Sequence, residues 1–87
     1  MESSLRGLRV DDSLDVRGVA GPAAYQQARA RLAALAPQDV LELHIDEGEA
    51  LESIPFGLRA DGHELLVSEP AANGVRLLVR KREPPAA

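Results

Sequence analysis

The stretch Leu14-Asp15-Val16-Arg17-Gly18-Val19-Ala20-Gly21-Pro22-Ala23-Ala24-Tyr25 decides how this chain is read. Leu14 and Val16 alternate with polar residues and predict a first strand over residues 14–17, stopped at Gly18. A short loop leads to Gly21-Pro22, and an amphipathic run of about four turns follows. Proline suits the first helical position, because its missing N–H would have no partner there and its fixed φ already fits a helix. That spacing predicts Gly21 as the N-cap residue, with the free N–H groups of the helix just beyond it. A strand–loop–helix junction of this kind gathers positive potential at one point. In an enzyme or carrier the reactive group is expected there. Here the position holds glycine, which has no side chain to react.

Working outward, the helical spacing runs from Pro22 to about residue 36, with Tyr25, Ala28, Leu32 and Leu35 on one stripe and Gln26, Gln27, Arg29 and Arg31 mostly off it. Pro37-Gln38-Asp39 ends that helix. Residues 40–46, Val-Leu-Glu-Leu-His-Ile-Asp, alternate cleanly: Leu41, Leu43 and Ile45 face one side, Glu42, His44 and Asp46 the other. Glu47-Gly48 turns the chain into a second helix over residues 49–60 that is expected to bury Leu51, Ile54 and Leu58. Its early Glu49 and Glu52 suit the positive end of the dipole, Pro55 should kink it or mark where its regular part begins, and Asp61-Gly62 closes it. Residues 63–69 predict a third strand, 70–74 a hairpin loop, and 75–81 a fourth strand. On the fourth, Val75, Leu77 and Val79 face one way and Arg76, Leu78 and Arg80 the other.

The order β-α-β-α-β-β predicts an α+β fold: a two-layer sandwich with a mixed four-stranded sheet and both helices on one face, since a one-sided helical stripe has to be buried. Residues 1–12 read as a weakly ordered lead-in, 13–82 as the domain and 83–87 as a tail. The 87 residues suffice for one small domain. The core has to come from Leu, Val, Ile and Ala, because Tyr25 and Phe56 are the only aromatics. A net charge of −4 argues against nucleic acid or anionic membrane as a bulk-charge partner. With no cysteine, the chain has no disulfide, no thiolate nucleophile and no thiolate metal ligand. No run reaches the roughly 20 apolar residues of a membrane span, and the first residues lack a signal-peptide pattern, so a cytoplasmic protein is expected.

Several separate motifs, in order, resemble the TusA/SirA/YedF family of small sulfur carriers from residue 14 to residue 81. They are Leu14-Asp15-Val16-Arg17-Gly18-Val19, Pro22 and Tyr25, Ala36-Pro37, Val40-Leu41-Glu42-Leu43, Asp46-Glu47-Gly48-Glu49 and Ile54-Pro55, with Gly62-His63-Glu64-Leu65 and Leu77-Leu78-Val79-Arg80-Lys81 completing the set. Tyr25 and the Asp-Glu-Gly-Glu run resemble the branch whose first helix opens Cys-Pro-x-Asn-Tyr. The resemblance implies a cysteine before the first-turn proline that accepts sulfane sulfur from a cysteine desulfurase or similar donor and hands it on. This chain has Gly21 there and Ala24 in place of the branch's asparagine. The resemblance further implies a protein partner in sulfur trafficking, of the cysteine desulfurase or sulfur-carrier type. Partner contacts are expected through Arg17, Gly18, Gly21, Pro22 and Tyr25, with no cofactor and no catalytic residue. Nothing in the pattern specifies an oligomeric state.

Other groupings have plainer readings beside the functional ones. Arg17 is read either as an anion holder beside the helix end or as a solvated arginine at the strand end. His44 and His63, with Asp46 or Glu64, lack metal-ligand spacing. Asp46, Glu47, Glu49 and Glu52 are explained by a turn and a helix N-terminus. Arg76, Arg80, Lys81 and Arg82 form a basic strip expected to pair with Glu42 and Asp46 across the sheet. RNA readers of this sheet type usually expose aromatics, and none lies on these strands. Three functions stay open: a cysteine-less adaptor or regulator of sulfur transfer, a sulfur carrier whose acceptor cysteine is substituted in this copy, and an RNA-binding module.

Overall fold

The alternating and helical stripes build β1 (Asp12–Asp15), α1 (Gly21–Ala34), β2 (Val40–Ile45), α2 (Glu49–Ala60), β3 (Glu64–Ala71) and β4 (Gly74–Arg80). The structure is a computed structural model that describes residues 9–82. The expected tail and most of the expected lead-in lie outside those residues. The sheet order is β1-β2-β4-β3. β1 runs parallel to β2, and β2–β4 and β4–β3 are antiparallel. A parallel pair cannot be joined by a tight turn, so α1 crosses over between β1 and β2. One core cluster joins Ala24, Ala28 and Leu32 of α1, Ile54 and Leu58 of α2, and the row Leu41, Leu43, Ile45, Val75, Leu77 and Val79 of the sheet. Both helices therefore cover the same sheet face, giving the expected mixed-sheet α+β sandwich.

Several boundaries differ from the sequence reading, each for a local reason. β1 begins two residues early, at Asp12. Asp11 clamps the start of the pair: its N–H donates to Val40 O (2.8 Å) and its carboxylate accepts the Val40 N–H (2.8 Å). The chain leaves the sheet after Val16, where Gly18 turns at φ 82°. The N-cap of α1 is Ala20, not Gly21, because the Ala20 carbonyl accepts the first helical bond from Ala24 N (2.8 Å). Gly21 and Pro22 are thus both inside the first turn, where N–H groups have no helical partner and proline costs nothing.

α1 stops at Ala34, and Leu35 is already extended. The Lys81 ammonium caps this end by donating to the carbonyls of Ala33 (3.1 Å) and Leu35 (2.5 Å). α2 runs from Glu49 to Ala60 with Pro55 inside it and buried. Ile54, Pro55 and Leu58 fill its inner face, and Leu51, expected in the core, stays at the rim with 37% of its surface exposed. The hairpin is tighter than expected. Pro70 and Ala71 belong to β3, an edge strand where proline is tolerated, and the turn is Ala72-Asn73, with Asn73 at φ 64°.

Leu78 departs from the polar face to which alternation assigns it only in its burial. It lies in the same row as Arg76 and Arg80 yet is fully buried, between its cross-strand neighbours Glu42 and Val67. The register stays consistent because one extra residue, between Leu65 and Val67, is absorbed as a bulge in β3.

Leu43 sits at the centre of the core face with no exposed surface. Leu43→Ala is expected to lower stability by about 2–5 kcal/mol, the range for truncating a buried leucine. Urea titration checks this, and a loss under about 1 kcal/mol would place the side chain outside the core.

Candidate functional site

The loop before α1 is held from two sides. The Arg17 guanidinium donates to the Asp15 carboxylate from Nε (2.9 Å) and Nη2 (2.7 Å), and from Nη1 to the Ala72 carbonyl of the β3–β4 turn (3.1 Å). These bonds hold the Asp15 carboxyl well below the usual carboxylate range. The stem of Arg17 lies against Gly74, where a Cβ would come within 3.1 Å of Arg17 Cδ and 2.3 Å of the Ile45 carbonyl oxygen. No larger residue fits that place without movement. On the other side, the Gly18 N–H donates to the Asp46 carboxylate (2.9 Å).

Beyond the loop, the first turn of α1 opens on a groove of about 370 Å³ lined by Gly21, Pro22, Tyr25, Glu49, Ser53 and Gly57. Nothing lies within 4 Å of the Cβ that a side chain at position 21 would carry, and Gly21 does not have a positive φ. Tyr25 forms one wall. Its ring lies over Gly57, where a Cβ would meet Tyr25 Cε1 at 2.7 Å, so the two helices approach through a missing side chain. The Tyr25 hydroxyl donates to Asp61 (2.5 Å), and Arg29 stands 3.8 Å from the same carboxylate. Losing the phenolic proton would place two negative charges together, so the Asp61 bond raises the Tyr25 pKa above 10.0. Ser53 turns its hydroxyl back to the Glu49 carbonyl (3.1 Å). One turn further along α2, Phe56 is 74% exposed.

Gly21, Pro22 and Tyr25 therefore line one groove. Gly18 and Arg17 belong to the supporting loop, and the Arg17 guanidinium is engaged with Asp15 and the hairpin. Glu49, Ser53 and Gly57 were missed as lining residues. Their spacing of four places one helix face on α1, but only knowledge of the α1–α2 crossing makes it a groove wall. Ala24, which stands in place of the branch's asparagine, is buried in the core.

Away from the groove, Arg76 pairs with Glu42 (Nε to Oε2) and with Glu69 (2.8 Å). Arg80 and Arg82 share Glu64 at 3.1 and 3.2 Å. Asp46 does not join this strip, because it is used by the loop. Lys81 does not either, because it caps α1. The Nε2 of His44 stands 3.8 Å from Glu42, and the Nδ1 of His63 accepts the Arg82 N–H (3.3 Å).

The family model described as Sulfurtransferase TusA matches residues 12–81. The chain belongs to the TusA family. No curated protein matches it. TusA proteins act in sulfur relay together with partner proteins, and the match spans every strand and helix described above. Among the described residues, no helix is long and apolar enough to cross a membrane. The acceptor cysteine that the resemblance places before the first-turn proline corresponds to Gly21, one of the groove's lining residues.

Tyr25 is the only tyrosine, so its titration is directly visible as tyrosinate absorbance. It should titrate above 10.0, and Asp61→Asn should bring it back towards that value. The sign for stability follows from the raised folded pKa. The bond to Asp61 contributes fully below the unfolded value of about 10 and is lost as pH rises through the folded one. Urea midpoints should therefore fall in that alkaline window, and less so in Tyr25→Phe. An unshifted titration would mean that the hydroxyl points elsewhere.

Proposed function

We propose that this TusA-family chain serves sulfur relay without carrying sulfur, as an adaptor or regulator that occupies the surface a sulfur carrier or sulfurtransferase would use. The observation that carries this reading is Gly21. The family's acceptor position lies in the first turn of α1, at a groove, and holds a residue with no side chain. The chain contains no other cysteine to take over. Persulfide chemistry needs a thiolate, and none exists here.

The docking patch in this reading is the α1 end of the groove: Gly21, Pro22 and Tyr25, reached from the loop of Arg17 and Gly18. Arg17 acts on this patch by fixing the loop through Asp15 and Ala72.

The test has two arms. Incubated with a cysteine desulfurase, cysteine and pyridoxal phosphate, the chain should show no gain of one sulfur in its intact mass. A stable gain would overturn the reading. In the second arm, Gly21→Cys should create a thiol that titrates below the free value of about 8.5, because the unpaired N–H groups of α1 favour the thiolate. The substitution should cost little stability, since nothing crowds the new Cβ. Transfer of sulfur to Gly21→Cys would mean that a single residue separates this chain from a working carrier, which is the second reading left open above. A thiol at or above the free value, without transfer, would restrict the chain to the adaptor role.

A further inference from the structure

A second cleft, of about 310 Å³, lies on the far side of Tyr25 and Asp61 and is lined by Arg29, Ala33, Asp61, His63, Lys81 and Arg82. It concentrates positive charge on a chain whose net charge is −4. Arg29, Lys81 and Arg82 face a single lining carboxylate, Asp61. That carboxylate already accepts the Tyr25 hydroxyl at 2.5 Å and pairs with Arg29 only at 3.8 Å. Glu64, just outside the lining, is divided between Arg80 and Arg82. The Lys81 ammonium is held by the carbonyls of Ala33 and Leu35 and pairs with no carboxylate among the described residues. Counted with Arg80 and Glu64, four cations stand against two carboxylates among the described residues.

His63 adds an imidazole to the lining. Its Nδ1 accepts the Arg82 backbone N–H, which fixes the neutral ring with its proton on Nε2. Burial favours the same neutral form. The cleft thus combines two guanidinium groups, an ammonium and an imidazole N–H, with a charge surplus of two.

We propose that this cleft binds a tetrahedral dianion of the phosphate or sulfate class. A dianion matches the surplus, and its oxygens match the forked donors of Arg29 and Arg82. The inference is independent of sulfur relay. It concerns residues outside the groove, joined to it only through the bond from the Tyr25 hydroxyl to Asp61.

The experiment is NMR of the two imidazoles of the full chain, titrated with sodium phosphate and sodium sulfate against sodium chloride at matched ionic strength. His63 should shift and saturate with phosphate or sulfate, while His44, on the open sheet face, stays nearly still. Arg29→Gln and Arg82→Gln should each weaken binding roughly tenfold, as expected for losing one charge-assisted contact. Asp61→Asn should tighten it, because it removes the one lining carboxylate, and Arg76→Gln should leave it unchanged. Phenyl phosphate distinguishes the source. Affinity equal to that of inorganic phosphate supports a phosphoryl group borne on a larger molecule, and much weaker binding supports the free ion. A linear shift that chloride reproduces, or affinity unchanged in both arginine variants, would overturn the proposal.

Discussion

The burial of one face of β2 is the constraint on which the rest of the molecule depends. Leu41, Leu43 and Ile45 have no exposed surface, and β2 is the strand that pairs on one side with β1 and on the other with β4. Because side chains alternate along a strand, fixing this row fixes the opposite row, Glu42 and His44, on the open face. The helices follow. Ala24, Ala28 and Leu32 of α1 and Ile54 and Leu58 of α2 have only this surface against which to bury. With both helices on one side, their N-terminal ends border a common groove. The groove is thus a consequence of where two short helices must lie.

What the sequence made legible was whatever repeats with a strong apolar contrast. The alternation in β2 and β4 and the limits of α2 could be read because leucine, isoleucine and valine stand next to charged residues there. What was not legible depends on partners distant in the chain. α1 is rich in alanine on every face, so nothing local distinguishes buried Ala24 from exposed Ala23 or Ala30. β1 starts at Asp12 because Asp11 meets Val40 across the sheet. Leu51 looked like a core residue by spacing, yet Pro55, one turn on, takes the buried place on that face. Asp46 continues the polar row of β2 but is drawn to the Gly18 N–H of the loop. In each case a tertiary contact overrode a correct local rule.

The candidate site divides in the same way. The Gly21-Pro22-Tyr25 spacing announced a helix start, and α1 begins at Gly21. The α2 side could not be read, because Glu49, Ser53 and Gly57 carry no motif of their own. The role of Arg17 also needed the structure. From sequence it is a cation near a helix end, and in the fold it ties the loop to the β3–β4 turn, more than 50 residues away. Its charge is largely consumed in that bond and in the pair with Asp15. The loop is therefore a fixed frame in front of position 21, independent of which residue occupies that position.

Gly57 gives the groove an adjustable width. The ring of Tyr25 rests where a side chain at 57 would otherwise stand, so the spacing of α1 and α2 is set by an absence rather than by a contact. Any methyl group added there would lever the ring outward and disturb its bond to Asp61, which also borders the cationic cleft. The aperture could therefore diverge between relatives through one position that takes part in no chemistry. Selection on partner fit and selection on sulfur chemistry would then act on separate residues. In such a lineage the acceptor could vanish while the doorway to it stayed in use.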